Sequence, residues 1–175
     1  MSFDIVVCGI GGQGVITLGK IITNAALQSN LDVSLSENRG HAKRNDSVSC
    51  HVRIGKTYSP VIPKNTADLV IALDAEEILR HKTLVNGNSS LIVANKGIND
   101  FSEMDFEKVF DLKINSLEQI KNLNLFILGA ITNLSSFPLS KENLQNSISQ
   151  TMNDNAKSCL NAFNLGCENN DCDFE

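Results

Sequence analysis

The stretch FDIVVCGIGGQGVITLGK, residues 3–20, places four glycines between a mostly apolar run and an amphipathic one. Phe3 to Cys8 are rich in β-branched residues, which is typical of a strand buried on both faces. From Gly14 to about Ser29, apolar residues recur every three or four positions and predict a helix that packs on a sheet. Residues 32–36 read as a second strand, so we expect the chain to open with a β-α-β unit.

The glycines between the first strand and the first helix form a candidate ligand-binding loop. They match the G-x-G-x-x-G pattern, whose bare backbone lets amide groups approach a phosphate at a helix N-terminus. Three readings stay open: a nicotinamide or flavin dinucleotide, another anion, and a tight turn that binds nothing. The candidate cofactor-binding residues are Gly9, Gly11, Gly12, Gln13 and Gly14, with Glu37 as the acid expected near a ribose.

A polar segment and an alternating one follow the second strand. Glu37–Asp46 is charged and without periodicity, which predicts a loop at the carboxyl end of a central strand, where open α/β sheets bind ligands. In residues 48–54 apolar and polar side chains alternate, which predicts a strand with one buried face. We interpret the region near residues 47–60 as an antiparallel insert in a mostly parallel sheet.

The remaining pattern alternates strands with helices and predicts a Rossmann-like three-layer α/β/α domain with a mostly parallel sheet. A single domain is expected over residues 1–166, with residues 167–175 as a disordered tail. Asp74 and Ser140 are expected to cap helices, and Gly166 to end the last one. The predicted strands are 67–74, 89–95 and 108–114, and the predicted helices are 75–82, a brief one capped by Asn115 or Ser116, 125–134, 140–152 and 154–164.

Composition excludes several classes of protein. The formal net charge of −5 and the lack of a long basic run argue against nucleic acid as a partner. The sequence has no stretch of eighteen apolar residues and no signal-peptide pattern, so we expect a cytoplasmic protein without membrane contact. The five cysteines do not follow the spacing of ferredoxin clusters or zinc ribbons, and we therefore expect no metal site on this chain.

Three motifs occur in a distinctive order. GIGGQGVITLGKII (9–22) precedes SENRGHAKRNDSVSCHVRIG (36–55), which precedes YSPVIPKNTADLVIALDAEEILR (58–80). Together they resemble the small (beta) subunit of indolepyruvate ferredoxin oxidoreductase. That subunit is similar to the gamma-type domain of the 2-oxoacid:ferredoxin oxidoreductases, which include pyruvate ferredoxin oxidoreductase.

The resemblance implies a subunit of an enzyme that decarboxylates aromatic 2-oxoacids oxidatively to aryl-acyl-CoA and reduces ferredoxin. It implies that thiamine diphosphate and 4Fe–4S clusters lie on a large (alpha) partner subunit, and that coenzyme A is a co-substrate. This chain would hold no cofactor alone, and in isolation it would be inactive. A gamma subunit acting on pyruvate or another 2-oxoacid, and a free-standing dinucleotide-binding protein, are the alternatives.

The family segment E-T/S-x-G-M-A-Q-R-G-G-x-V has a variant form here, starting at Glu37. Arg44 matches the family arginine and is a candidate for binding a phosphate or carboxylate through its guanidinium group. His41 stands for the family methionine and is a weak candidate proton donor. Asn45-Asp46 replaces two glycines, which puts close backbone approach to a ligand there in doubt.

Several other residues have plainer interpretations. Arg53 is a second candidate for binding a phosphate or carboxylate, but it is rather expected in an ion pair at the surface or a subunit interface. His51 lies on the same face of the strand as Arg53 and is expected to line the crevice or the interface with it. Cys8 and Cys50 are expected as small buried residues without nucleophilic character. Val61-Ile62, between Pro60 and Pro63, either docks on a partner or closes the edge of the sheet.

Overall fold

A computed structural model describes residues 2–40, 46–95, 104–113 and 122–168. The described chain contains a sheet of six strands in the order β2-β3-β1-β4-β5-β6, with helices on both faces. The strands are β1 (Phe3–Ile10), β2 (Val33–Arg39), β3 (Ser47–Ile54), β4 (Leu69–Ala72), β5 (Ser89–Asn95) and β6 (Phe106–Lys113). The α-helices are α1 (Val15–Gln28), α2 (Leu123–Ile131), α3 (Lys141–Met152) and α4 (Ala156–Glu168), and Ala75–Leu84 forms a 3₁₀ helix.

The antiparallel insert is confirmed, and it changes the opening β-α-β unit. β3 pairs antiparallel with both β1 and β2, while β1, β4, β5 and β6 pair parallel. β2 therefore runs parallel to β1, as predicted, but β3 lies between them. The predicted loop at Glu37–Asp46 is partly wrong, because Glu37 to Arg39 continue β2, and β2 is an edge strand rather than a central one.

Two apolar clusters make the layers on either side of the sheet. On one face, Ile5 and Val7 of β1 pack with α1, α2, α3 and α4 in the larger cluster. On the other face, Val6 and Cys8 pack with Ile78 of the 3₁₀ helix and with residues of β4 and β5. The alternation of β1 side chains between two buried faces explains why its sequence is a nearly continuous apolar run.

The helix predictions hold with two corrections. Asp74 and Ser140 act as caps, with their side chains accepting from the backbone N–H of Glu76 and Asn143, but the helix after Asp74 is 3₁₀ rather than α. Gly166 does not end α4. It lies inside the helix, where a Cβ would come within 1.9 Å of the Phe126 carbonyl oxygen of α2.

Some sequence predictions fall outside the described residues. These are the brief helix after Asn115 or Ser116 and most of the tail. Cys167 and Glu168, which were assigned to that tail, belong to α4.

Candidate ligand-binding cleft

The glycine loop after β1 depends on backbone conformations that favour glycine. Gly12 and Gly14 have φ angles of 104° and 87°, in the left-handed region. At Gly14 a Cβ would collide with Nδ2 of Asn124, whereas at Gly12 it would meet no atom of a described residue within 4 Å. Gly12 is thus required for backbone conformation alone, and its surface stays open to a ligand.

Gln13 closes the loop on itself. Its Oε1 atom accepts a hydrogen bond of 2.7 Å from the backbone N–H of Ile10. A Cβ at Gly9 would come within 2.5 Å of that same oxygen, so Gly9 leaves the space in which the Gln13 side chain lies. The sequence analysis placed Gln13 among the ligand-binding residues; in the structure its side-chain oxygen braces the loop.

The loop forms one wall of a cleft of about 690 Å³. Its other walls come from the first turns of α1 and from the end of β2. Gly11 ties the loop to the residue before β3, since its backbone N–H donates to the Asp46 carbonyl oxygen at 2.9 Å. The lining residues are Ile10, Gly11, Gly12, Gly14, Val15, Ile16, Thr17, Lys20, Arg39, Gly40 and Val48.

Two cations line this cleft. Lys20 and Arg39 line it, and the Glu37 carboxylate lies between them at 3.8 Å from Lys20 Nζ and 2.5 Å from Arg39 Nη2. Among the described residues, the Asp46 carboxylate also lies beside Gly40, a lining residue. No side chain of a described residue caps the start of α1, so the amide groups of its first turn add their partial positive charge to that of the two cations. The arrangement suits an anionic group.

The position of Glu37 differs from that of a ribose-binding acid. Because β3 separates β2 from β1, Glu37 lies two strand spacings from the glycine loop strand, roughly 10 Å. Its carboxylate is also engaged with Lys20 and Arg39. This geometry disfavours the dinucleotide reading of the glycine pattern.

The other candidates from the sequence have these outcomes. His41 and Arg44 lie outside the described residues. Burial raises the pKa of Cys8 far above its usual range and the pKa of Cys50 to about 12, so both thiols stay protonated, as expected of buried residues without nucleophilic character. His51 does not line the cleft, because its Nδ1 atom accepts from the Ile62 N–H at 3.2 Å.

Sequence reasoning missed the two cations and Thr17. Thr17 and Lys20 are three residues apart on α1, which puts them on one face of the helix directly after the glycine loop. This three-residue spacing was the sequence pattern from which Thr17 and Lys20 could have been predicted as cleft residues. Arg39 was hidden because it was assigned to an irregular loop, whereas it ends an edge strand beside the cleft.

The polar face of β3 is partly buried, with Ser49 and Arg53 buried and Ser47 and His51 half-buried, so the prediction of a strand with one buried face holds only in part. Arg53 donates to both oxygens of Asp4 at 2.9 Å, so it forms an ion pair, but one buried within the chain rather than at the surface or a subunit interface as expected. Ser47 Oγ donates to Glu77 Oε2 under the 3₁₀ helix, and the rings of His51 and His81 meet edge to face at 6.3 Å between centroids. This layer packs on the opposite face of the sheet from α1.

The histidine pair makes stability depend on pH. Burial lowers the pKa of His51 and of His81 below the ordinary value of 6.5, against the opposing pull of Asp4 and Glu77. A base whose pKa is lower in the folded state binds fewer protons there than in the unfolded state. The contribution of the two histidines to the free energy of unfolding is therefore expected to be constant above about pH 7 and to fall as the pH drops below 6.5.

Urea unfolding between about pH 5 and 8 checks this expectation. His81→Gln removes one titrating group and should flatten the slope. The charged groups facing the pair are Asp4, Arg53, Glu77 and Arg80. A wild-type slope equal to that of His81→Gln would contradict the assignment.

Comparison with known proteins identifies the class. The family described as pyruvate ferredoxin/flavodoxin oxidoreductase matches residues 4–169, and the chain belongs to it. Indolepyruvate oxidoreductase subunit IorB of Archaeoglobus fulgidus is 32% identical, with 87% of each chain covered. The subunit of the same name from Methanothermobacter thermautotrophicus is 33% identical, covering 94% of this chain and 93% of that one. The family resemblance found in the three sequence motifs is confirmed.

Solved structures confirm the fold. The gamma subunit of a keto/oxoacid ferredoxin oxidoreductase from Geobacter sulfurreducens superposes with a TM-score of 0.75 at 22% identity, covering 95% of this chain and 96% of that one. A 2-oxoglutarate:ferredoxin oxidoreductase from Magnetococcus marinus, with 2-oxoglutarate, coenzyme A and succinyl-CoA bound, gives 0.80 at 20% identity over 95% of this chain. This chain spans 30% of that longer polypeptide.

Two further observations concern the described residues alone. No group of three His, Cys, Asp or Glu side chains among them is placed to hold a metal ion. No helix within them is long and apolar enough to cross a bilayer.

Proposed function

We propose that this chain is the small subunit of an indolepyruvate ferredoxin oxidoreductase. The enzyme would convert an aromatic 2-oxoacid and coenzyme A to the aryl-acyl-CoA and carbon dioxide, and pass the released electrons to ferredoxin. The observation that carries the proposal is the identity of 32–33% with two indolepyruvate oxidoreductase subunits, over 87% or more of each chain. The proposed location is the cytoplasm.

The proposed division of labour gives this chain a binding role. A large subunit would hold thiamine diphosphate and the 4Fe–4S clusters, which supply the decarboxylation and electron transfer. The cleft beside the glycine loop would receive the phosphates of coenzyme A at that subunit's active site, held by Lys20, Arg39 and the amides that begin α1. The two lining cations and the open surface of Gly12 support this role.

Purification of the full chain from its native cell tests the proposal. We expect it to copurify with a larger subunit that contains iron, acid-labile sulfide and thiamine diphosphate. The complex should reduce ferredoxin faster with indolepyruvate than with pyruvate. Faster reduction with pyruvate would favour the alternative of a pyruvate-type gamma subunit. A chain that elutes alone and binds a dinucleotide would overturn the proposal.

Gly12→Val separates a ligand-binding loop from a structural turn. Because Gly12 has φ 104° and a Cβ there would have no neighbour within 4 Å in the described part of the chain, we expect a loss of about 1–3 kcal/mol in stability from backbone strain alone. The complex should still assemble but lose most of its coenzyme A-dependent activity. Unfolding by urea and steady-state kinetics measure the two effects.

Asn30→Val is a matched control for that variant. Asn30 also has a positive φ, 56°, but it lies beyond the opposite end of α1 from the loop. The control should lose stability to a similar extent and keep its activity. Equal activity in both variants would contradict a ligand-binding role for the loop.

A further inference from the structure

Two consecutive residues, Asp46 and Ser47, connect two walls of the cleft; we name them the bridge. The Asp46 carbonyl oxygen accepts from the N–H of Gly11 in the glycine loop at 2.9 Å. The Ser47 carbonyl oxygen accepts from the N–H of Gly40, which follows β2, at 3.1 Å. Gly11 and Gly40 both line the cleft. The bridge therefore sets the distance between the glycine loop and the end of β2.

A side chain from the opposite face of the sheet holds the bridge in place. Ser47 Oγ donates to Oε2 of Glu77, in the 3₁₀ helix, at 2.5 Å. Arg80 Nε lies 3.2 Å from the same carboxylate oxygen, with its side chain 67% exposed. Glu77 itself is buried. Its carboxylate thus connects the bridge to an element that lies across the sheet from α1 and the cleft.

Packing alone does not account for a carboxylate at position 77. The same 3₁₀ helix buries Ala75 and Ile78 in an apolar cluster, and an apolar side chain beside them would carry no electrostatic cost. A buried carboxylate must instead be compensated by hydrogen bonds. A carboxylate is also an acceptor only, so it fixes the Ser47 hydroxyl group as the donor. Glu77 is therefore better suited to holding Ser47 than to filling space.

We propose that Glu77 is a positioning residue for the cleft, which holds Ser47 and so fixes the spacing of Gly11 and Gly40 around a bound phosphate. Glu77 acts through the bridge, and it does not touch the ligand from its place across the sheet. This inference rests on the proposed function, because it takes a phosphate group as the ligand of the cleft from there.

Titration of the full chain with inorganic pyrophosphate, the anionic group within coenzyme A, tests the inference. The amide NMR signals of Gly11, Gly12 and Gly40 report binding and give the dissociation constant. Ser47→Ala removes the hydroxyl group and should weaken pyrophosphate binding about fivefold, as expected for the loss of one hydrogen bond. Ser47→Thr keeps a hydroxyl group and should restore the wild-type affinity.

Two variants at position 77 separate the hydrogen bond from the charge. Glu77→Gln removes the charge and keeps an oxygen that accepts from Ser47, whereas Glu77→Ala removes both. We expect Glu77→Ala to weaken pyrophosphate binding about fivefold, and Glu77→Gln to stay within about twofold of the wild type. Equal tightening in both variants would mean that Glu77 acts on the anion through its charge, and would overturn the inference.

Ser34→Ala is the matched control. Ser34 is a half-buried serine of β2, like Ser47 in β3, and its Oγ atom lies 3.2 Å from Thr57 Oγ1 at the end of β2 away from the cleft. It should bind pyrophosphate as the wild type does and lose about as much stability to urea as Ser47→Ala. Equal pyrophosphate affinity in Ser34→Ala and Ser47→Ala would contradict the inference.

The assembled enzyme separates the inference from the proposed function. In it, Ser47→Ala and Glu77→Ala should raise the KM for coenzyme A about fivefold and leave kcat unchanged, because only binding is affected. If pyrophosphate binds as expected but the enzyme does not use coenzyme A, the proposed function is wrong and the inference stands. If the wild-type chain binds no pyrophosphate, the inference is wrong whatever the activity of the enzyme.

Discussion

Arg53→Met is expected to lower the free energy of unfolding by about 3–5 kcal/mol. Arg53 is 9% exposed, and it binds the carboxylate of Asp4, which is 2% exposed, through two hydrogen bonds of 2.9 Å. Removing the guanidinium leaves a buried carboxylate without its counter-ion, and the cost of that uncompensated charge exceeds the worth of the pair itself. Urea unfolding measures the loss.

A double-mutant cycle isolates the ion pair. Asp4→Asn combined with Arg53→Met removes both charges, so the double variant should be more stable than Arg53→Met alone. Arg80→Met is the matched control, because Arg80 pairs with Glu77 at 3.2 Å but is 67% exposed. Arg80→Met should lower the free energy of unfolding by about 0–1 kcal/mol. Equal losses from Arg53→Met and Arg80→Met would contradict the account.

The sequence predicted those parts of the fold that follow from periodicity. β1, α1 and β5 matched their predictions because each buries a face whose spacing is visible in the chain. The position of β3 between β1 and β2 was not predictable in this way, since strand order depends on contacts distant in sequence. The same limit hid the buried polar face of β3, because Ser49 and Arg53 read as solvent-facing until their partners are known.

The candidate site also contains some residues that the sequence predicts and others that it does not. The glycines were predictable, because glycine usually occupies positions where the backbone has a positive φ or lies close to other atoms. Lys20 and Arg39 were not, since their convergence depends on β2 continuing to the edge of the cleft. Helix propensity also failed to separate the 3₁₀ helix at Ala75–Leu84 from an α-helix, because the same residues favour both.

Lys20→Ala and Arg39→Ala are each expected to raise the KM for coenzyme A roughly tenfold in the assembled enzyme. A hydrogen bond to a charged group contributes about 1.5–3 kcal/mol, and partial exposure of both side chains places the effect at the lower end. The kcat should change little, because in the proposed role these residues bind phosphate and do not touch the reacting carbon. Steady-state kinetics at saturating 2-oxoacid measure both constants, with the exposed Lys157→Ala on α4 as the control.

Glu37→Gln is expected to change the KM for coenzyme A in the opposite direction. Glu37 pairs with both cations, so neutralising it raises the net positive charge of the cleft by one. The KM for coenzyme A should then fall severalfold, whereas a carboxylate that bound a ribose would weaken binding when lost. If Glu37→Gln and Lys20→Ala each raise the KM for coenzyme A, Lys20, Glu37 and Arg39 act as one structural network. If the KM falls in Glu37→Gln and rises in Lys20→Ala, the cleft recognises an anion through its charge.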